Sequence, residues 1–166
     1  METRPYPWTC PGCRQRAVHA DVVDYTTTVE HDGRAYTVTV PSLEVPKCRN
    51  CGKLVLTDSA NRRISEAFRR EAGLLTPEEI RAGRTRCRLD QQTFADLLGI
   101  SVSTLSRWET GAQIQQRSLN RLMEAYFASP EVRQVYGRLS GRENGADQDG
   151  CRRHGTKRES NDVSPN

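Results

Sequence analysis

The sequence predicts an α+β protein: a small cysteine-clamped β-hairpin module, a joining helix, a compact bundle of five helices and a disordered polar tail. Three observations predict it. Two C-x-x-C pairs, Cys10/Cys13 and Cys48/Cys51, bracket a stretch in which apolar and polar residues alternate. From Thr76 to Leu139 the apolar residues recur at helical spacing instead. After Gly141 apolar side chains almost vanish.

Composition bounds what such a chain can be. Of 166 residues 35% are hydrophobic, and the mean hydropathy is −0.75. Two modest domains, one helped by a metal, fit that better than a single large core. The net charge of +4 is mildly basic and compatible with nucleic acid. Nearly all the basic residues are Arg, which genomic base composition can produce, so the excess is not read as phosphate contacts. No apolar run is long enough for a membrane span. The opening METRPYPWTC lacks the apolar centre of a signal peptide. The chain is therefore expected to be cytoplasmic, with no membrane partner. Its six cysteines are expected to be reduced and to bind metal rather than pair as disulfides.

Residues 1–57 form the first predicted module. Two residues between ligands let both thiolates of a knuckle reach one tetrahedral ion, and the glycines help the chain turn. Four thiolates leave no open position, so Cys10, Cys13, Cys48 and Cys51 predict one structural Zn2+ rather than a catalytic one. Rubredoxin-like iron uses the same donor set, and ligand type leaves it open. A thioredoxin-like redox pair needs only one C-x-x-C and a βαβ context, which is absent. His19 and His31 are read as surface residues on strands. Between the knuckles Val23, Tyr25, Thr27 and Val29 alternate with polar residues, as do Tyr36, Val38 and Val40 after the turn signal His31-Asp32-Gly33. Pro41 and Pro46 limit the stretch around Leu43 and Val45 to edge or irregular structure. Lys53 to Leu56 suggests a further short strand. The segment has few apolar residues, so metal binding should supply part of its folding free energy. An exposed β edge suits protein binding.

Residues 58–73 predict a joining helix, capped by Asp58 and stopped by Gly73. Ile64, Ala67 and Phe68 make a narrow apolar stripe, and Arg62, Arg63, Arg69 and Arg70 a solvated face. Residues 74–140 predict the bundle. Thr76-Pro77-Glu78-Glu79 is a capped helix start. The helix runs to about Arg86, and Cys87 beyond it is read as a small buried apolar residue. Asp90 caps a second helix that carries Phe94, Ala95, Leu97 and Leu98 and stops at Gly99. Ser101 caps a third, Val102 to about Thr110, stopped by Gly111. Helices from about Arg117 to Phe127 and from Ser129-Pro130 to Leu139 complete the bundle. These last two carry enough apolar surface to suggest a homodimer seam.

In the third helix Leu105 and Trp108 should face inward, with Ile100 just before it. Ser103, Thr104, Ser106 and Arg107 are left facing out. A short helix with small hydroxyls and one Arg on its exposed side can enter a DNA major groove, where Arg donates two hydrogen bonds to guanine. The run Q-x-x-x-A-x-x-L-G-I-S-x-S-T-L-S-R-W-E-x-G, over Gln91 to Gly111, resembles the helix-turn-helix of the Xre/Cro family. Arg107 and Ser103 are expected to face base edges, with Ser101, Thr104 and Ser106 beside them. Gln91 and Gln92 are expected to contact phosphate or brace the recognition helix. Arg86, Arg88 and Arg117 are weaker phosphate candidates.

Residues 141–166 predict a disordered tail, in which Cys151 and His154 lack partners for a metal site. Paired knuckles, a hairpin-rich insert, a short join and an Xre-type domain together resemble the MqsA family of antitoxins, with its YgiT-type zinc finger. The resemblance covers about Trp8 to Leu139. It implies an antitoxin of a type II toxin-antitoxin system and no enzyme. The zinc module would bind and neutralise an mRNA-cleaving toxin, an endoribonuclease of the MqsR type. The C-terminal domain would dimerise and repress its own operon at a palindromic double-stranded operator. Cys10, Cys13, Cys48 and Cys51 match the family's zinc ligands, and Arg107 its base-reading Arg. Ser103 departs from the pattern, which has a base-reading Asn there, and the polar tail has no counterpart. The alternative is a zinc-containing transcriptional regulator without a toxin partner. An electron carrier or enzyme built on the knuckles would need an open coordination position or bound iron.

Overall fold

The computed structural model describes residues 5–139; the predicted tail, with Cys151 and His154, lies outside them. The described residues form an α+β chain with one three-stranded antiparallel sheet and six helices. It divides into two compact units. One takes in the chain up to Thr76 together with Gln115–Arg117, and the other runs from Pro77 to Ile114 and resumes at Ser118.

The first unit is built on a long hairpin. Strands β2 (Arg16–His31) and β3 (Arg34–Cys48) pair from Val18↔Cys48 to His31↔Arg34. The turn is the two residues Asp32-Gly33, both at positive φ (48° and 70°), the conformation whose twist matches that of the strands it joins. The ladder slips once. Between the pairs Val23↔Leu43 and Tyr25↔Val40, Asp24 faces both Pro41 and Ser42. Ser42 takes a positive φ there, and its N–H donates to Asp24 Oδ1 at 2.9 Å. Such a bulge absorbs the extra residue and bends the strand. Strand β3 runs through both Pro41 and Pro46. It can, because it is an edge of the sheet β1-β2-β3 and needs ladder hydrogen bonds on one side only. Strand β1 (Trp8–Thr9), which the sequence did not suggest, pairs with the start of β2. The expected strand at Lys53–Leu56 reduces to a single bridge, Lys47↔Leu54.

Helix α1 (Asp58–Ala72) belongs to this unit. Its cap is Thr57 rather than Asp58: the Thr57 hydroxyl accepts from the Ala60 N–H, which leaves Asp58 in the first turn. Phe68 is buried and meets Tyr36 edge-on (5.4 Å) and His31 likewise (5.3 Å). His31 is therefore not a plain surface residue; its side chain is 17% exposed, and its Nε2 lies 3.1 Å from the Gln115 carbonyl. The Arg face of α1 is also less solvated than expected. Arg69 is buried, and Arg63 donates to the carbonyls of Ser42 (2.9 Å) and Pro41 (3.1 Å), holding the bulge.

The second unit consists of α2 (Pro77–Arg86), α3 (Gln91–Leu98), α4 (Val102–Thr110), α5 (Arg117–Ala128, from Ser118 onward) and α6 (Pro130–Leu139). Its core is Ile80, Phe94, Ala95, Leu98, Leu105, Trp108, Met123, Tyr126 and Phe127. Phe94 stacks on Phe127 at 5.5 Å. Gly83 lets that ring lie against α2, since a Cβ there would come 2.5 Å from Phe127 Cε2. Cys87 departs from its expected role in being half-buried rather than buried. Buried Arg133 donates its Nη1 to the Tyr126 carbonyl (2.9 Å), satisfying an end carbonyl of α5. The exposed large apolar residues of this unit are Val135 and Leu139, both on α6.

Candidate functional site

Two sites were expected, and each lies within one unit. In the first unit the knuckles repeat the same local fold. The Arg14 N–H donates to the Cys10 carbonyl (3.0 Å), and the Gly52 N–H to the Cys48 carbonyl (2.8 Å). The residue after each knuckle, Arg14 or Gly52, takes a positive φ. Register does the rest. Cys48 pairs with Val18 at the end of the hairpin, and Trp8 pairs with Val18 from the other side, which brings Cys10 to Cys48. Cys10, Val18 and Cys48 are fully buried, with Trp8, Cys13 and Ala17 against them.

The four sulfurs lie within 4.8 Å of one another. Cys10 Sγ is 3.6 Å from Cys51 Sγ, and Cys13 Sγ is 3.7 Å from Cys48 Sγ. A tetrahedral ion with bonds of about 2.3 Å sets its sulfurs about 3.8 Å apart. The donor set therefore fits one such ion with little movement. Gly12 supports it, its N–H donating to Cys10 Sγ at 3.3 Å. The thiols divide sharply in acidity. The Asn50 side chain and the Gln15 N–H hold Cys13 down to about 6. The Lys53 N–H draws Cys51 down, but desolvation and the three other thiols outweigh it and push Cys51 up to about 11. Four sulfurs this close cannot all carry negative charge by themselves. A dication supplies the missing charge, which is the chemistry of a structural thiolate site.

In the second unit α3 and α4 are joined by the turn Gly99-Ile100-Ser101. The Asp90 carboxylate accepts from the Thr93 N–H (2.7 Å) at the start of α3. Gly99 ends it at φ 67°, a left-handed position that a side chain would strain. Ser101 caps α4, accepting from the Thr104 N–H at 3.2 Å. Its hydroxyl also lies 2.9 Å from those of Ser103 and Thr104. Leu105 and Trp108 anchor the buried side of α4. Ser103 and Arg107, one turn apart, are exposed, and Thr104 and Ser106 are half-buried.

The glutamines do not behave alike. Gln91 on α3 donates its Nε2 to Glu109 Oε2 on α4 at 2.8 Å, so it braces the helix pair. Gln92 donates to Asp96 on its own helix at 2.9 Å and stays exposed. Of the weaker candidates, Arg86 and Arg88 are exposed, whereas the Arg117 guanidinium donates to the Tyr36 hydroxyl at 2.6 Å.

Sequence reasoning missed what holds α4 in place. Glu109 is buried. Arg84 on α2 donates Nε to its Oε1 (2.6 Å) and Nη2 to its Oε2 (3.0 Å). Arg84 also donates to the Leu89 carbonyl (2.8 Å), and Arg81 to the Glu109 carbonyl (2.8 Å). Burial pushes the Glu109 carboxyl up, but the hydrogen bonds from Arg84 and Gln91 and the charges of Arg84 and Arg81 hold it below the usual carboxylate range. One signal was available: an acidic residue next to the core Trp108, on a helix otherwise read as polar outward.

Among the described residues no helix is long and apolar enough to cross a membrane. The chain matches no curated protein. The family described as the antitoxin component of bacterial toxin-antitoxin systems, MqsA, matches residues 8–134. That span takes in the four cysteines and both helices of the α3–α4 pair.

Proposed function

The chain belongs to the MqsA family of bacterial antitoxins, and on that premise we propose that its two units divide the work of a type II antitoxin. The first unit, clamped by one structural Zn2+ on Cys10, Cys13, Cys48 and Cys51, binds and neutralises an mRNA-cleaving toxin of the MqsR type. The second unit is the helix-turn-helix domain, with α4 as the recognition helix. It forms a homodimer and represses the operon by binding a palindromic double-stranded operator, with the two recognition helices about one DNA turn apart.

One observation carries the DNA half of this reading. The side of α4 that would enter the groove is free, with Ser103 and Arg107 exposed and Thr104 and Ser106 beside them, while Leu105, Trp108 and Glu109 fix the other side. Arg107 then reaches a guanine edge and Ser103 an adjacent base. Ser101, at the cap, and Gln92 are placed for the phosphate backbone. Gln91 acts through Glu109 rather than by touching DNA. The same protein from a bacterial cytoplasm is expected to carry one zinc per chain.

The test is co-purification with the product of the neighbouring reading frame, followed by metal analysis and operator binding on the same sample. A chain that binds zinc and operator but retains no partner would be a regulator without a toxin. A chain that binds the partner but no DNA would refute the role given to α4.

A further inference from the structure

Charge is sorted along the first unit. Residues 5–20 and 46–57, which carry the two knuckles, hold five cations, Arg14, Arg16, Lys47, Arg49 and Lys53, and no carboxylate. Residues 21–45, the body of the hairpin, hold five carboxylates and one Arg. A base composition rich in Arg codons would scatter cations along the chain; it would not clear the carboxylates from one end. The metal site does not use up this charge either. Four thiolates around a dication leave a net charge of about −2, which two of the cations balance.

The turns gather the cations round the sulfur cluster. Arg14 follows the first knuckle, Arg49 lies inside the second, and both are exposed. The Arg49 N–H donates to the Ala17 carbonyl at 2.8 Å, which ties it to the start of β2. Lys53 lies across the first knuckle, since a Cβ at Gly12 would come 2.8 Å from its Cδ. Lys47 stands opposite His19 in the register, and the two line a cavity of about 320 Å³ together with Arg49 and Gly52. Asp21 is the one carboxylate in that wall, and it meets Lys47 at 3.4 Å. Among the described residues the other four cations form no ion pair. An aromatic ring stands beside them. Arg16 donates its Nε to the Pro7 carbonyl at 3.1 Å, next to Tyr6. Tyr6 is 44% exposed and stands 6.0 Å from Trp8, which packs against the buried cysteines.

We propose that the knuckle end of the first unit binds single-stranded RNA, with Arg14, Lys47, Arg49 and Lys53 on its phosphates and a base stacked on Tyr6. Clustered cations without acidic partners select a polyanion. An exposed ring beside them selects a strand whose base faces are open, which a duplex conceals. No helix stands ready at this end to enter a major groove, because α1 begins only at Asp58. The proposal does not depend on the toxin reading; it gives the first unit a ligand of its own.

The zinc-loaded full-length chain is titrated with a fluorescent, unstructured RNA of about 12 nucleotides, and anisotropy is followed across a salt series. Arg14→Glu combined with Arg49→Glu should weaken binding about tenfold or more. The neutral pair Arg14→Gln and Arg49→Gln should lower the slope of log affinity against log salt by about 1.4, so the test survives if reversed charge disturbs the knuckles. Tyr6→Ala should weaken binding about fivefold or more and leave the slope as it was. Arg34→Glu, exposed beside the turn at the other end of the hairpin, should bind RNA as the unaltered chain does. Zinc content and operator affinity should be the same in every variant. Unaltered RNA affinity and salt slope in the Arg14 and Arg49 variants overturn the proposal. Unaltered affinity in Tyr6→Ala also overturns it, leaving a surface for any polyanion. A random duplex that binds as tightly as the RNA, and is weakened equally by the same substitutions, overturns it in favour of duplex DNA. A preference for the deoxy version of the strand overturns RNA as the ligand.

Discussion

Arg84 holds Glu109 by two parallel hydrogen bonds, at 2.6 and 3.0 Å, in a place where the carboxylate is 1% exposed and the guanidinium 13%. The fork joins α2 to the last turn of α4, and Gln91 adds a third bond from α3. Three helices thus meet on one carboxylate. Removing one member of a buried pair strands the other. Glu109→Ala should therefore lower the stability of the helical unit by about 3–5 kcal/mol, measured by urea unfolding. Operator affinity should fall too, although Glu109 touches no base, because α4 loses its seat. A loss below about 1 kcal/mol, the range of exposed ion pairs, would show that the fork holds nothing in place.

The same carboxylate makes the helical unit sensitive to acid. Its folded value lies below the ordinary 4.5, because hydrogen bonds and cationic neighbours outweigh the effect of burial. Above 4.5 the contribution is fully present. As pH falls from there through the lower folded value, the unfolded chain takes up the proton first, and stability is lost. Unfolding free energy followed from about pH 6 downward should be level at first and then decline below about 4.5. The decline should be shallower in Glu109→Gln, which has no proton to gain.

Gly83 should resist replacement by the best helix former. Alanine in an exposed helix gains about 1 kcal/mol over glycine. At position 83 its Cβ would come 2.5–2.7 Å from three atoms of the Phe127 ring, which is itself stacked on Phe94. Gly83→Ala is therefore expected to cost about 1–3 kcal/mol, with altered ring resonances of Phe94 and Phe127. A stabilised variant would mean that the ring can move aside.

Local signals were legible in the sequence. Asp90, Ser101, Gly99 and Gly111 bound α3 and α4 as the residue types require, and Asp32-Gly33 turns the hairpin. The sulfur cluster could be read from spacing. The features that escaped depend on residues far apart in the chain. Residue pattern places Arg69 on a solvated face and assigns no role to Arg84 or Arg133, yet Arg69 and Arg133 are buried and Arg84 is tied to Glu109. Strand β1 is two residues long, too short to carry a pattern, and exists because Val18 offers it an edge. Pro41 and Pro46 do mark an edge, and β3 runs on through both because only its β2 side needs ladder hydrogen bonds.

Metal loss should be local. Cys48 is buried at the end of the hairpin, pairs with Val18 and lies 3.7 Å from Cys13 across the cluster. Cys48→Ser removes one of the four ligands, and a strong chelator removes the ion whose charge lets four sulfurs share the site. Hydrogen exchange should then accelerate at Trp8, Val18 and Cys48, and hardly change in α2 to α5. Protection retained at Val18 would argue that the hairpin closes without an ion.

Arg107 offers the sharpest test of the helix face. It is exposed on the last turn of α4, one turn beyond Ser103, and its charge lies outside the Arg84–Glu109 network. If its guanidinium spans two acceptors on one guanine, Arg107→Ala should lose about 1–3 kcal/mol at that base pair. The loss should vanish on an operator already altered at the same pair, and random DNA should be bound nearly as before. Equal weakening on operator and random DNA, with a smaller salt slope, would make Arg107 a phosphate contact instead. Ser103→Asn separates the two outcomes further. It places a longer donor and acceptor one turn away, so it should change which sequence is preferred if α4 lies in the groove. It should leave preference untouched if α4 only rests on the backbone.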